Sequence, residues 1–289
     1  MTEYVTVVSS DAADSGSPAF YERRGDLLWP GALAAGPPWL PGTQHGSMVT
    51  ALMARAADQT PSPVPMQLVR LTVDLSRPVP TGLTRVDVRI SRDGKRLQAL
   101  DLELIVDDTA VSRGTAVRIR TDDVLDGDDM LDGGDMLHGD DMASIDRSGD
   151  PPSGSPEQAE LTSPLGPDPL WDAHGARWES HRAGSGTVWL RPIVPLVADE
   201  PLTPTLRVAM VADLVMTVGT LLPRDRYVAV NPDLTLSLTR PPVDEWLRIS
   251  SVVRLNRAGS GHSEGVLSDR TGWVGRVVKS LLIDRRPTR

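Results

Sequence analysis

The chain has 289 residues, no cysteine and a net charge of −9. Without cysteine it has no disulfide, no thiolate nucleophile and no zinc thiolate site, which fits a reducing cytoplasm. Eleven aspartates lie between residues 122 and 150, so the rest of the chain is nearly neutral and offers no basic face for nucleic acid. No apolar run approaches the roughly 18 residues that span a bilayer, and the start lacks a signal-peptide pattern. We therefore expect a cytoplasmic protein without a membrane span.

The first folded part is predicted to follow a flexible N-terminus, residues 1–19. A short strand is predicted over 20–28, and loops rich in tryptophan, proline and glycine follow up to residue 42. Residues 48–57 are rich in alanine and lack glycine and proline, and Ser47 stands at an N-cap position, which predicts a helix. Because this helix is apolar nearly all round, we expect it to be buried.

The pattern then changes to alternating apolar and polar residues. The alternation covers four stretches, at 71–75, 86–90, 100–106 and 117–119, and predicts a four-stranded antiparallel meander. Residues 20–120 are thus expected to form one domain, in which a buried helix precedes the meander.

Residues 121–169 match no regular element and are predicted to be an acidic, disordered linker. A hexapeptide rich in aspartate occurs there three times, at 125–130, 131–136 and 137–142. The EF-hand spacing and its closing glutamate are missing. We therefore favour an expanded, self-repelling linker over a calcium-binding loop.

The second folded part, residues 170–289, repeats the plan of the first. Residues 70–78 read RLTVDLSRP and residues 233–241 read DLTLSLTRP, an offset of 163. The same offset relates Val111-Ser-Arg113 to Val274-Gly-Arg276 and predicts a tandem duplication. It places Asp213 over Thr50, within a helix that Pro204 opens and that is expected to reach residue 222. Strands are predicted over 178–182, 187–191, 234–238, 247–253, 263–267 and 273–283.

A buried helix wrapped by a curved antiparallel sheet is the hotdog arrangement, so the sequence predicts an α+β fold with two hotdogs in tandem. Several motifs resemble the thioesterase-like proteins related to bacterial acyl-CoA thioesterase II. They are Gln44-His-Gly, the run at 70–80, Trp189-Leu-Arg191, Ala212-Asp213, the run at 231–236 and Glu245-Trp246. The resemblance covers nearly all of the chain outside the N-terminal tail and residues 121–170. It implies hydrolysis of an acyl-CoA or other acyl thioester, without a cofactor, in fatty acid metabolism.

Members of that family hold and activate water with three residues: an Asp on the second helix, a Thr or Ser before the next strand, and a Gln on the last strand. Asp213 matches the Asp. A carboxylate on an otherwise apolar, buried helix costs several kcal/mol unless it is hydrogen-bonded or functional. Asp213 is therefore a candidate on physical grounds too, although it could instead cap a loop or face solvent.

The other two family positions differ here. The hydroxyl position falls on Val230 or Asn231, and only Asn231 can hydrogen-bond a water; a turn Asn before proline is the alternative. The Gln position falls on Lys279, which could pair with Asp213 or donate to an oxyanion, or could be a solvated strand lysine. These departures leave a second hypothesis open, a catalytically degenerate protein that binds acyl thioesters or lipids. The paired His and acidic residue of a hotdog dehydratase are not seen.

Substrate contacts are predicted at the start of the first helix. Free backbone N–H groups beside His45 and Gly46 could receive a thioester oxygen, although His45 could also be a loop histidine bonded to backbone. Trp39, with Trp29 and Trp189, could line an acyl channel or fill the core. Arg77 and Arg240 are expected to pin sheet edges, and no metal-ligand set is present. The chain length of the acyl group, its carrier and homo-oligomerisation stay open.

Overall fold

The computed structural model describes residues 19–36, 40–122, 171–179, 185–219, 222–223 and 226–286. The helices are α1 (Gly46–Gln59), α2 (Pro204–Ala212) and α3 (Val215–Gly219), with a short 3-10 helix at Ala32–Ala34. The strands are β1 (Tyr21–Arg24), β2 (Leu27–Pro30), β3 (Met66–Asp74), β4 (Thr84–Asp93), β5 (Leu97–Val106), β6 (Thr109–Arg120), β7 (Trp171–Glu179), β8 (Ser185–Pro192), β9 (Tyr227–Val230), β10 (Asp233–Leu238), β11 (Leu247–Leu255), β12 (Ser260–Asp269) and β13 (Gly272–Arg285).

The described strands form one large antiparallel sheet. Its order is β1-β2-β4-β5-β6-β3-β10-β13-β12-β11-β8-β7, and β9 pairs with the far end of β13. α1 packs against β3 to β6, α3 packs against β8, β11 and β12, and α1 and α2 contact each other. The core therefore lies between the helices and one face of the sheet. Within the described residues, no helix has the length and apolar character needed to cross a membrane.

The offset of 163 residues is preserved in the register of the sheet. At the junction between the halves Thr72 of β3 pairs with Thr235 of β10, and the two hydroxyl oxygens lie 3.2 Å apart. An antiparallel pair formed by two equivalent residues requires an approximate twofold axis between them. Pairs farther from the junction keep the same offset. Leu102 pairs with Gly114 as Gly265 pairs with Val277, and Val88 pairs with Leu102 as Ser251 pairs with Gly265.

The first half differs from the sequence-based expectation in three places. The strand predicted over 20–28 is a hairpin of β1 and β2, and Gly25 adopts a φ of 63° at its turn, a conformation that glycine adopts without strain. The N-cap of α1 is His45 rather than Ser47, because His45 Nδ1 accepts a hydrogen bond from Ser47 N at 3.2 Å. The four predicted strands are present as β3 to β6, but the prediction of a four-stranded meander is wrong, because β3 pairs with β6 and β10 and only β4, β5 and β6 follow one another in the sheet.

The second half also departs from the prediction. The helix predicted over 205–222 begins at Pro204 but breaks after Ala212, so that Asp213 is the C-cap of α2. Two side chains from the sheet bind carbonyl groups at the break: Lys279 Nζ donates to Asp213 O, and Ser251 Oγ donates to Val215 O. Lys279 thereby takes the place of the N–H group that a continuous helix would supply to Asp213 O.

Two further predictions fall partly or wholly outside the described residues. The strand predicted over 178–182 is instead β7 at Trp171–Glu179, while residues 180–184 are not described. Residues 1–18 and 123–170, which contain the N-terminal tail and the three hexapeptides, also lie outside the described residues.

Candidate active site

Asp213 lies where the first turn of α1 meets the last turn of α2. Its side chain is 8% exposed. A Cβ atom added at Gly46 would come within 2.9 Å of Asp213 Oδ2, so only glycine lets the start of α1 approach the carboxylate this closely. The site is therefore built by both halves of the chain.

One carboxylate oxygen, Oδ1, is held by residues of the second half. Lys279 Nζ donates to it and also to the backbone oxygen of Asp213. Asn231 Nδ2 lies 3.3 Å from Oδ1 and 3.2 Å from Asp233 O. Lys279 projects from β13 and is fully buried, and Asn231 lies between β9 and β10. The three residues that the sequence proposed as catalytic thus converge.

The other carboxylate oxygen, Oδ2, faces the start of α1. Ser47 Oγ lies 3.4 Å from it, at the limit of a hydrogen bond. His45 Nδ1 lies 3.9 Å away and already accepts from Ser47 N, so it does not donate to the carboxylate. Gly46 N–H, the first amide of α1, has no acceptor among the described residues. Within the described residues, Oδ2 thus has one hydroxyl contact at the limit of a hydrogen bond, whereas Oδ1 has two donors.

The electrostatics of the site favour an ionised carboxylate. Burial raises the pKa of Asp213, but the charges of Lys279 and His45 and the hydrogen bonds from Lys279 and Asn231 outweigh it, and the pKa is lowered overall. Burial lowers the pKa of Lys279, opposed by Asp213 and by Asp233. The centre of the site is thus a buried carboxylate and ammonium in direct contact, which can orient a water.

The remaining predicted residues have other surroundings. His45 caps α1, as its backbone-bonded alternative anticipated. Trp39 lies outside the described residues. Trp29 lies under the guanidinium of Arg24, 4.4 Å from the ring centroid, and Trp189 is buried on β8. None of these contacts assigns a tryptophan to an acyl channel.

The two arginines before proline pin hairpins, as expected. Arg240 binds the Asp269 carboxylate at 2.6 and 2.8 Å beside the turn between β12 and β13. Arg77 donates to Ala110 O at the start of β6. Sequence reasoning missed Ser47, whose hydroxyl approaches Asp213. Its position directly after the Gln-His-Gly motif is the one signal that could have indicated it.

The offset of 163 residues allows the two halves to be compared at the site. The positions equivalent to Asp213, Asn231 and Lys279 are Thr50, Leu68 and Ala116. Of these only Thr50 is polar, and its buried hydroxyl has no partner in the described part of the chain. Within the described residues, such a polar site therefore occurs once rather than as a symmetric pair.

Comparisons with known proteins show the family of the chain. The acyl-CoA thioesterase N-terminal domain matches residues 35–119, and the acyl-CoA thioesterase C-terminal domain matches residues 140–283. No curated protein sequence matches the chain.

Solved structures match over nearly the whole chain at low sequence identity. Acyl-CoA thioesterase II TesB2 from Mycobacterium marinum is 15% identical with a TM-score of 0.59, over 91% of this chain and 94% of that one. The tesB protein of Mycobacterium avium subs paratuberculosis is 15% identical with a TM-score of 0.60, over 92% and 96%. A conserved protein of unknown function with a hot dog fold from Alicyclobacillus acidocaldarius is 14% identical with a TM-score of 0.63, over 93% and 96%. These matches show a hotdog fold.

Proposed function

Because the chain belongs to the acyl-CoA thioesterase family, whose two domains match most of its length, we propose that it hydrolyses an acyl-CoA, or another acyl thioester, to the free acid and the thiol. The observation that supports this most directly is the Asp213 carboxylate, which is buried, held at Oδ1 by Lys279 and Asn231, and contacted at Oδ2 by the Ser47 hydroxyl at the limit of a hydrogen bond. We further propose a tandem arrangement of two hotdog domains, 20–120 and 170–289, with 1–19 and 121–169 outside them.

In the proposed reaction Asp213 acts as a general base. A water bound at Oδ2 attacks the carbonyl carbon of the thioester while its proton passes to the carboxylate. The carbonyl oxygen gains negative charge and accepts a hydrogen bond from Gly46 N–H, where the positive end of the α1 dipole adds to the stabilisation. The tetrahedral intermediate then breaks its C–S bond, and the leaving thiolate takes the proton held by Asp213, which restores the ionised carboxylate.

Lys279 has a supporting role in this mechanism. Its ammonium can donate but cannot accept the proton of the water. By donating to Oδ1 it fixes the carboxylate and turns Oδ2 towards the water. The same charge lowers the pKa of Asp213 and so weakens the base. Rate acceleration is therefore expected to come mainly from orientation of the water and from the backbone donor.

A second candidate function is binding of an acyl thioester without turnover. It is motivated by the two departures from the family pattern, Asn231 at the hydroxyl position and Lys279 at the Gln position. In this case the contact between Lys279 and Asp213 would be a structural ion pair that replaces the lost catalytic set.

The test is thiol release from a panel of acyl-CoA esters of increasing chain length. We expect Asp213→Asn to lower kcat by about 100-fold or more, the usual contribution of a general base. The matched control is Asp58→Asn. Burial raises the pKa of the Asp58 carboxyl, but Asp58 lies at the end of α1 that is opposite to Gly46. This variant should keep wild-type turnover.

Two outcomes would overturn parts of the proposal. Equal rates for the wild type and Asp213→Asn would exclude Asp213 as the base, provided that both proteins unfold at similar temperatures. Saturable binding of an acyl-CoA without release of thiol at any chain length would favour the binding protein.

A further inference from the structure

Ser263 is a buried serine beside Lys279 that the proposed mechanism does not use. It lies on β12 directly opposite Lys279 of β13, and both side chains are fully buried. Their neighbours in the strands, His262, Glu264 and Ser280, are all more exposed, so Ser263 and Lys279 share the face of the sheet that is turned to the helices. The Ser263 hydroxyl has no hydrogen-bond partner within the described residues.

The equivalent position in the first half does not need a polar residue. The offset of 163 places Leu100 at Ser263 and Ala116 at Lys279, and these two residues form the same cross-strand pair between β5 and β6. The fold is therefore built there from apolar side chains. A serine and a lysine occur together only in the half that carries Asp213, which indicates that Ser263 serves the site rather than the scaffold.

In the proposed reaction the Lys279 ammonium needs a further hydrogen-bond acceptor. The ammonium of Lys279 has three N–H donors, and the structure directs it at Asp213 Oδ1 and Asp213 O. When Asp213 takes the proton of the attacking water, the ammonium loses its counter-charge while still buried, which is unfavourable without another acceptor. Asp233 acts on Lys279 through its charge, but its Oδ1 already accepts from Ser280 N.

We propose that Ser263 is a positioning residue whose hydroxyl accepts a hydrogen bond from the Lys279 ammonium when Asp213 is protonated. Rotation about the last torsions of the lysine side chain brings Nζ from Asp213 towards β12. Ser263 thus stabilises the protonated form of the base. This inference rests on the proposed general-base role of Asp213. Two other charged or titratable groups act on Lys279 and Asp213: His45, before α1, acts on Asp213, and Asp233, on β10, acts on Lys279.

The direction of the effect follows from which state Ser263 stabilises. Removing the hydroxyl destabilises only the state in which Asp213 is protonated, so the pKa of Asp213 falls and Asp213 becomes a weaker base. We expect Ser263→Ala to lower kcat by about tenfold with KM unchanged, and to move the acidic limb of the kcat profile down by about one pH unit, since tenfold corresponds to one unit. Ser263→Thr keeps the hydroxyl and should retain most of the activity and the wild-type limb.

The matched control is Thr50→Val. It removes another fully buried hydroxyl that has no partner among the described residues. Thr50 is equivalent to Asp213, but the equivalents of Asn231 and Lys279 are the apolar residues Leu68 and Ala116. It should leave both kcat and the acidic limb unchanged.

A second measurement does not depend on turnover. Carbon-13 NMR titration of the aspartate carboxyls, with the Asp213 signal assigned by its loss in Asp213→Asn, reports the pKa of Asp213 in the free protein. A lower pKa in Ser263→Ala than in the wild type and Ser263→Thr supports the proposal, even if no acyl thioester is hydrolysed and the proposed function fails. A wild-type pKa in Ser263→Ala overturns it, as does an equal loss of activity in the alanine and threonine variants, which would indicate packing alone.

Discussion

At the scale of single residues, Lys279 determines the character of the site. The family resemblance places a neutral Gln at this position, whereas this chain has a fully buried ammonium in contact with Asp213. Removing one member of a buried ion pair typically costs about 3 to 5 kcal/mol, because the other charge is left without a partner. The pair therefore has to be considered as a unit, in stability as well as in catalysis.

The first prediction concerns the charge of Lys279. We expect Lys279→Gln to keep a hydrogen-bond donor for Asp213 Oδ1 while removing the charge that lowers the pKa of Asp213. Burial then prevails, the pKa of Asp213 rises, and the acidic limb of the kcat profile moves to higher pH. The measurement is kcat against pH with one acyl-CoA. Lys279→Met, which removes the donor too, serves as the comparison and should lose activity; an unchanged limb in Lys279→Gln would contradict the assignment.

The residues of the site were predictable to different degrees. Asp213 could be identified from the sequence because it is the one carboxylate in the apolar helix predicted over 205–222. Asn231 and Lys279 came from the family resemblance, since nothing in their local sequence distinguishes them from a turn asparagine and a strand lysine. Ser47 had one signal, its position directly after the Gln-His-Gly motif, and Ser263 had none, because a serine gains significance only from the partner that the fold brings to it.

At the scale of secondary structure, the break between α2 and α3 positions the carboxylate. The apolar pattern continues through the break, so periodicity alone predicts one helix. The donors that stabilise the break are distant in sequence: Lys279 is 66 residues from Asp213, and Ser251 is 36 residues from Val215. A contact of this kind depends on the sheet and could not be seen in the local sequence.

The second prediction concerns the start of α1. Gly46→Ala would place a methyl group 2.9 Å from Asp213 Oδ2, so either the carboxylate or the helix must shift. We expect kcat to fall by about tenfold or more, since small displacements of a positioned group are costly. Stability should change little, because the higher helix propensity of alanine, about 1 kcal/mol, offsets the strain.

The control for this variant lies on the same helix. Ala56→Gly changes helix propensity near the opposite end of α1, and we expect it to destabilise the protein by about 1 kcal/mol with unchanged turnover. Thiol release and urea unfolding measure the two quantities. Wild-type activity in Gly46→Ala would show that the close approach of α1 to Asp213 is not required.

At the scale of the whole molecule, the two halves share a register but differ in their electrostatics. Arg240 binds Asp269, whose side chain is fully buried, while the equivalent Arg77 binds only a backbone carbonyl. Burial raises the pKa of Asp269, but hydrogen bonds from Arg240, Val243 and Thr271 lower it well below its usual range. The hairpin of the second half therefore has an ion pair with a buried carboxylate, whereas the ion pairs at the hairpin of the first half, Arg85 with Asp108 and Arg113 with Glu103, are exposed.

The third prediction compares these two arginines. Since Arg240 is partly exposed, we expect Arg240→Gln to lower the free energy of unfolding by about 2 to 3 kcal/mol, and Arg77→Gln by about 1 kcal/mol. Because the pKa of Asp269 is lowered in the folded state, its contribution is present above the unfolded pKa of about 4 and is lost as the pH falls through the folded pKa. The difference between the variants should shrink in acid. Urea unfolding at neutral and acid pH measures it, and equal losses at neutral pH would contradict the prediction.

Much of the overall arrangement could be read from the sequence because strand alternation and the repeated RLTVDLSRP stretch are local signals. The hairpin of β1 and β2 and the position of β7 could not. These strands lie at the two ends of the sheet, β1 and β2 at one end and β8 and β7 at the other, and the local sequence is interrupted by glycine and polar residues. Propensity is a weak guide where pairing decides the structure.

The pairing of Thr72 with Thr235 has an evolutionary consequence. In a dimer of identical chains every substitution appears at both symmetry-related positions, so a residue that benefits one copy of a site must be tolerated in the other. When both copies lie on one polypeptide, each is encoded separately. A lysine buried beside an aspartate can then be selected at one position while alanine and threonine are kept at its counterparts, and the second copy is left to drift towards a purely supporting role.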